Sequence, residues 1–582
     1  MKGNTMSTWL QAFNSRGDLT PYGDNAIGLF ALALRFGVED LVTAAANSIT
    51  DGNDDKKCDI IHIDKDEEIA VISQCYHSSK ENPSAPSNKA SDLNTAISWL
   101  LQRPVTELPE RLRPAAIELR ASIIDGSVKE IHIWYVHNLP ESKNVQDELV
   151  TVERTADSIL KNHFPGKKLS ILVQEVGRTK LEEWYNDTQT PILVSDKIEF
   201  RITDGFEIIG ETWKAYVTAM PGRLLHKLYK QHGAKLFSAN VRDYLGSRRS
   251  DANINNGIKQ SAVQTPADFW VYNNGLTILV HSYDKLTSRK ISMTGISIVN
   301  GAQTTGALGS LSKRPSADLL VPVRLVVTSD ANTIFDIIQY NNSQNKVTAS
   351  DFRSRDKIQR RLREEVAQIP NAEYEGGRRG GASDMIRRNP NLLPSYTVGQ
   401  ALAALQQDPD VAYNQKSAIW ASDSLYSKYF TEDITGAHLV FAYSLLRAIE
   451  ARKTSLVQKS KADSGVTDAE TKELQYFRQR GSIFLLVASI AASLETILGR
   501  KLVRISKISF GAKTEPRNAI KIWDPIISVC TAFCPQLEDA FADGLKNKER
   551  IRKTITTFQS LIQATVAANA DTFKTFLAKV KV

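Results

Sequence analysis

The side chains whose types and spacing suit chemistry concentrate between Phe269 and Leu308. FWVYNNGLTILV and, after a charged connector, ISIVNGAQTTGAL each carry an apolar run that breaks at Asn-Gly. Asn273, Asn274 and Gly275 form the first break, and Asn300 and Gly301 the second. Both residue types tolerate positive φ, so Asn-Gly between β-type runs signals a tight turn. Phe269–Tyr272 and Leu276–Val280 read as strands around the first turn. Around the second, Ile296–Val299 reads as a strand and Ala302–Leu308 as a helix. Strand, glycine turn and helix converge backbone N–H groups and a helix N-terminus on one point, which suits an anion or a phosphate. Thr277, Gln303, Thr304 and Thr305 complete the polar set. Amides and hydroxyls exchange hydrogen bonds but are poor acids and bases at neutral pH, so recognition fits better than proton transfer. The alternative is a pair of ordinary hairpin turns with no ligand.

A second set is cationic. SDFRSRDKIQRRLREEVAQI reads as an amphipathic helix carrying Arg353, Arg355, Arg360, Arg361 and Arg363, and Arg378, Arg379, Arg387 and Arg388 follow. The one-signed excess points to phosphate contact by Arg353, Arg360 and Arg361. A solvated face salted with Asp and Glu is the competing reading.

The central stretch resembles the abortive-infection phage-resistance (AIPR) family, whose signature pairs an FW-x-x-NNG-I-T segment with an IVNG-x-QT segment. LFSANVRDYLG upstream resembles that family's Asn-x-Arg segment, carried by Asn240 and Arg242. IIQYNNSQNKVTASDFRSRD downstream resembles its Asn-x-Gln segment, carried by Asn341, Asn342 and Gln344. YEGGRRGG resembles its closing Tyr-Glu-Arg-Gly segment. The resemblance implies a bacterial antiviral role. It also implies a sensing module in which Asn240, Arg242, Asn342 and Gln344 join the turn residues in binding nucleic acid, a nucleotide or a phage-derived trigger.

Nearer the N-terminus, a helix over Phe30–Ile49 precedes two strand-like runs, CDIIHID and EEIAVISQCYH. Helix, Asp-bearing strand, turn and polar-ended strand resemble the PD-(D/E)xK nuclease core. That resemblance implies Glu39 on the helix and Asp59 on the strand as ligands of Mg²⁺, with Gln74 in place of a second acid. Two carboxylates and a neighbouring oxygen suit magnesium, and a lysine helps to activate water. Tyr76 stands where that lysine is expected, and Lys80 is the nearest substitute. A Mg²⁺-dependent endonuclease under control of a sensing module is therefore the leading expectation. A non-catalytic nucleic-acid or nucleotide sensor acting through a partner is the alternative.

The elements that must position these residues follow from the rest of the chain. It has 582 residues and a net charge of +8, and 42% of it is hydrophobic, ample for several packed cores. Strand Glu130–Asn138, helix Val145–Phe164 and strand Lys168–Gly177 read as a parallel α/β unit. From Pro394 the pattern is helical, with Lys459–Glu473 as an exposed linker. The expected architecture is multi-domain α/β. Residues 1–125 form a nuclease-like α/β domain, 126–200 an α/β connecting unit, 201–390 a mixed α/β core module and 391–582 an all-helical bundle. The bundle suits partner contact or homo-oligomerisation. No apolar run approaches the ~20 residues of a bilayer span. The N-terminus lacks a signal-peptide core. Cys58, Cys75, Cys530 and Cys534 lack zinc spacing and read as reduced thiols, so a cytoplasmic location is expected.

Overall fold

The computed structural model describes residues 9–50, 52, 54–167, 169–189, 194–233, 236–237, 252–328, 330, 333–334, 336–337, 350, 353–354, 356–376, 391–461 and 465–581. It is a mixed α/β structure with a helical C-terminal region.

The N-terminal unit holds helices α1 (Asn25–Phe36), α2 (Leu41–Ser48), α3 (Ser87–Ser91), α4 (Arg113–Asp125), α5 (Lys143–His163) and α6 (Arg178–Gln189). Its strands are β1 (Ile60–Asp64), β2 (Ile69–Tyr76), β3 (Glu130–His137) and β4 (Ser170–Val176). They form one four-stranded sheet in sequence order, with β1 antiparallel to β2 and the others parallel. Residues 126–176 therefore extend the N-terminal sheet and are not a separate connecting unit. β2 is buried almost end to end because the sheet is covered on both faces. Ala70 and Ile72 pack with Val145, Leu149 and Val152 of α5, whereas Val71 and Cys75 pack with Phe30 and Leu34 of α1.

The single helix expected over Phe30–Ile49 is two helices. Gly37 takes φ +59 and its N–H returns to the Ala33 carbonyl, closing α1 with a left-handed cap. Asp40 then caps α2 by accepting from the Thr43 N–H at 3.2 Å.

The central unit contains β5 (Val194–Arg201), β6 (Gly205–Ile209), β7 (Trp213–Pro221), β8 (Leu276–Leu279), β9 (Ser282–Thr287), β10 (Lys290–Asn300) and β11 (Leu320–Thr328). They form a seven-stranded sheet in the order β5-β10-β8-β11-β7-β6, with β9 on β10. Helices α7 (Gly222–His232), α8 (Ala252–Gln264), α9 (Phe269–Tyr272) and α10 (Ala302–Gly309) accompany it. The expected strand at Phe269–Tyr272 is instead the helical turn α9, where the Asp268 carbonyl accepts from the Val271 and Tyr272 N–H groups. Only Phe269 is buried there, and Trp270, Val271 and Tyr272 face outward, a pattern no half-buried strand alternation produces.

The helical unit is built from α11 (Lys357–Ala367), α12 (Ser395–Leu405), α13 (Gly436–Lys461), α14 (Asp468–Arg478), α15 (Ser482–Ala492), α16 (Pro516–Thr531) and α17 (Lys548–Ala564). Leu362, Val366, Ile369 and Tyr374 belong to its single core, so this unit begins well before residue 391. The expected linker at Lys459–Glu473 is mostly helix. α13 runs through Lys461, and α14 opens with a capping box in which Thr467 and Glu470 satisfy each other's backbone N–H groups. α15 is buried throughout residues 482–491, as a central bundle helix must be. No helix among the described residues is long and apolar enough to cross a membrane.

The N-terminal and helical units are joined through α2 and α13. Arg447 bonds to Asp40, to Glu450 at 2.6 Å and to the Thr43 hydroxyl at 3.1 Å. Thr43 donates to Glu450 at 2.7 Å and Thr397 donates to Asp40 at 2.5 Å. All of these side chains are buried. A second seam joins β1 to the bundle, with Lys416 on Asp64 at 3.1 Å and Arg480 donating to the Ile61 carbonyl at 2.9 Å.

Candidate functional site

Asp59 immediately precedes β1 and Gln74 lies near the end of β2, which the antiparallel register brings side by side. Both are buried, at 7% exposure each. Asp59 Oδ2 accepts from Gln74 Nε2 at 2.9 Å and from the Cys75 N–H at 2.6 Å. Gln74 Oε1 is buried without a hydrogen-bond partner. Leaving an acceptor in that state costs about 1–3 kcal/mol, so it calls for a donor or a cation.

This pair opens into a cavity of about 860 Å³ between the N-terminal and helical units. Asp24, at the start of α1, lines it together with Asp59 and Gln74, and its charge reaches the Cys75 thiol beside Asp59. The cationic lining comes from both sides, with Lys89 and Arg111 facing Lys453, Lys461, Arg478 and Arg480. Lys89 projects from α3 over the ring of Tyr76, with its Nζ 5.0 Å from the centroid. The amine missing from the end of β2 is thus returned to that position by the next helix. Lys453 donates to the Ala46 carbonyl, and burial, followed by the charge of Arg480, holds its amine down at about 7.

Glu39 and Lys80 lie elsewhere. Glu39 sits in the connector between α1 and α2 and lines a different cavity, with Asp40, His62, Asp64 and Lys416. Lys80 is exposed in the loop after β2, where its N–H donates to the Ser78 hydroxyl at 3.2 Å. Neither lines the cavity that holds Asp59 and Gln74. Asp24 and Lys89 are the residues that sequence reasoning missed. The glycine stop at Gly37 was the available signal. It moves the acid at the sheet from the end of a long helix to the start of a shorter one.

Asp59, Gln74 and Asp24 offer the hard oxygen donors that magnesium prefers, and the orphaned Gln74 oxygen shows where a cation would relieve a cost the fold carries. Among the described residues there is no group of three or more His, Cys, Asp or Glu side chains that could hold a metal, so Gln74 would have to complete the set. All four cysteines are free and buried.

The central turns have the expected strand–turn–helix form around Gly301, but part of their polar set bonds within the turns themselves. Asn273 donates to Thr304 Oγ1 at 3.0 Å and accepts from the Gly275 N–H at 3.0 Å. Arg324 on β11 donates to Thr277 Oγ1 at 2.8 Å. Gly275 and Gly301 have φ +83 and +98. A Cβ on Gly275 would meet the Pro322 carbonyl oxygen at 2.8 Å, and one on Gly301 would meet Leu276 Cδ2 at 2.0 Å. These glycines let β8, β10 and β11 close on α10. Asn274 is exposed, and Asn300 and Gln303 are half-buried. Thr305 Oγ1 is buried without a partner.

The arginine cluster divides. Arg353 bonds to Asp423 and to the Trp420 carbonyl at 3.2 Å and stacks on Tyr426 at 4.4 Å. Arg361 bonds to Glu365 at 2.7 Å and to the carbonyls of Ile434 and Glu432. Both are taken up by contacts within the helical unit, and Arg360 alone of the three is exposed. Asn240, Arg242, Asn341, Asn342, Gln344, Arg355, Arg378, Arg379, Arg387 and Arg388 lie outside the described residues.

The model of the AIPR protein family matches residues 237–458, less than half of the chain. The match runs from the central unit into α13, and it leaves the N-terminal cavity residues Asp24, Asp59, Gln74 and Lys89 outside it. Over that stretch the chain is similar to AIPR proteins. No curated protein and no solved structure matches the chain.

Proposed function

We propose that the protein is a phage-defence factor of the abortive-infection kind whose N-terminal site hydrolyses phosphodiesters in nucleic acid. The family match supports the defence role. The observation that carries the catalytic reading is the orphaned Gln74 oxygen beside Asp59, at the mouth of a cavity rimmed by lysine and arginine.

Asp59, Gln74 and Asp24 would hold magnesium. Bound there, it lowers the pKa of a water and offsets the charge gathering on the phosphate. The chain's own residues do the remainder. Asp59 is fixed by Gln74 and by the Cys75 N–H, so its carboxylate does not rotate away. Lys89, braced on Tyr76, orients the attacking water and offsets the negative charge on the phosphate oxygens. The water gives up one proton to bulk solvent as its oxygen bonds to phosphorus, the bond to the leaving ester oxygen breaks, and that oxygen takes up a proton from solvent.

The test is cleavage of labelled single-stranded and duplex nucleic acid by the full chain with magnesium and with chelator, beside Asp59→Asn and Asp24→Ala. Asn preserves the size of the buried Asp59, which Ala would not. Metal-dependent cleavage by the parent, lost in both variants together with protection of cells against phage, is the expected result. Full protection by Asp59→Asn rejects catalysis at this site. It leaves a non-catalytic sensor, the reading favoured by Tyr76 at the end of β2.

A further inference from the structure

We propose that the cavity takes single-stranded nucleic acid, its phosphates held between the Asp59 side and Lys453 of the helical unit, and that it excludes continuous duplex. The substrate class rests on the phosphodiester reading above. The binding geometry does not depend on catalysis.

The two walls come from different units. Lys89 and Asp24 stand on the N-terminal side, and Lys453 and Arg478 on the helical side. Their separation is limited by the segment that ends α2. The Thr50 N–H donates to the Asp59 carbonyl at 3.0 Å, and the Ala46 carbonyl accepts from Lys453 Nζ. Ala46 and Thr50 are four residues apart, so the chain between these anchors reaches at most about 14 Å. The two grooves of a duplex are about 8.5 and 7.5 Å deep, so a whole duplex, at least about 16 Å across, is broader than this gap. A single strand, whose phosphates repeat at a fraction of that distance, fits within it.

The walls are also fixed. Arg447, Asp40, Glu450 and Thr43 interlock α2 with α13 in a buried network one to two helical turns from Lys453. Opening the gap to duplex width would strip those charges of their partners. A cavity of about 860 Å³ suits one or two nucleotides and not a grooved surface laid along a helix.

The experiment uses the full chain carrying Asp59→Asn, so that bound strands stay intact. Its probes are a short fluorescent single strand, made as DNA and as RNA, and a duplex of the same sequence closed at both ends by hairpin loops. The single strand should bind at least about tenfold more tightly than the closed duplex. Adding Lys453→Ala should weaken single-strand binding about tenfold and reduce its salt slope by about 0.7. Lys453→Arg should restore both, with all variants melting alike. Equal affinity for the closed duplex overturns the proposal, as does unchanged single-strand affinity in Lys453→Ala. The two readings separate cleanly. A parent chain that binds single strands through Lys453 but never cleaves them refutes the nuclease alone, and one that cleaves closed duplex refutes only the substrate class.

Discussion

Gln74 in the N-terminal cavity and Asn273 at the central turn are both side-chain amides that donate to a neighbouring oxygen. Asn273 also uses its carbonyl, accepting the Gly275 N–H, so the group is consumed by the turn. Gln74 leaves its carbonyl oxygen buried and unanswered beside a cavity. The same contrast holds for charge. Arg353 and Arg361, in the densest cationic stretch of the sequence, are spent on carbonyls and carboxylates of their own unit. Lys89, isolated in a Pro- and Ser-rich stretch, makes no ion pair among the described residues and faces the cavity. A conspicuous motif can therefore spend its polar groups on the fold, while the site proposed for function is assembled from scattered residues that leave a group unsatisfied.

The sharpest way to break this contrast is Asp24→Ala. Asp24 is exposed, so its removal should change stability by no more than about 0.5 kcal/mol while metal-dependent cleavage falls about 100-fold or more. Thermal melting and initial rates on the same preparation decide it, and a large loss of stability with activity intact would reverse the assignment. Next in size is Arg447→Met, which strands Asp40 and Glu450 between the two units. A cost of about 3–5 kcal/mol is expected, read from denaturant unfolding, with the cavity lost at the same time. Gly301→Ala should cost about 2 kcal/mol or more from positive φ and the encounter with Leu276, yet leave cleavage at permissive temperature unchanged. Loss of cleavage in a chain with unaltered melting would give the central turns a direct role.

A pH series separates the regions further. Burial holds His438 of the helical unit down at about 4, against about 6.5 unfolded. The unfolded chain binds this proton first as pH falls. Stability is therefore fully present above about 6.5 and declines by about 1.4 kcal/mol per pH unit from there to about 4. His438→Gln should flatten that segment of the melting-versus-pH curve. The smallest effect is expected for Arg360→Ala. It is the exposed member of its cluster and should change stability by about 0.5 kcal/mol or less. A drop of about 0.7–0.9 in the salt slope of nucleic-acid binding would show that α11 also touches phosphate.

Much of the local structure was legible in the residues. EIHIWYVH, rich in β-branched and aromatic residues, becomes β3, Asn300-Gly301 turns β10 into α10, and the apolar run after Gly481 becomes the buried α15. Failures came where one residue outweighed a pattern. Gly37 divides a periodic helix, and Thr467 with Glu470 starts α14 inside a polar stretch that reads as linker. Of the site, Asp59 and Gln74 were readable because strand ends and polar residue types coincide. Asp24 and Lys89 were not, since one precedes its helix in an exposed turn and the other follows a loop, with no periodicity to mark either.

By itself the sequence determined the elements, because side-chain spacing, glycine turns and caps act over a few residues. It also determined that β1 and β2 would set Asp59 beside Gln74, since a short polar turn leaves an antiparallel pair little choice of register. Only the tertiary structure decided that α13 would close the cavity from the far side, bringing Lys453 opposite Asp59 across almost 400 residues of sequence. It likewise decided that the Asn273 amide would be taken up by Thr304 and the Gly275 N–H. Which polar groups end up satisfied is a property of the whole packing, and no local pattern records which partner arrives.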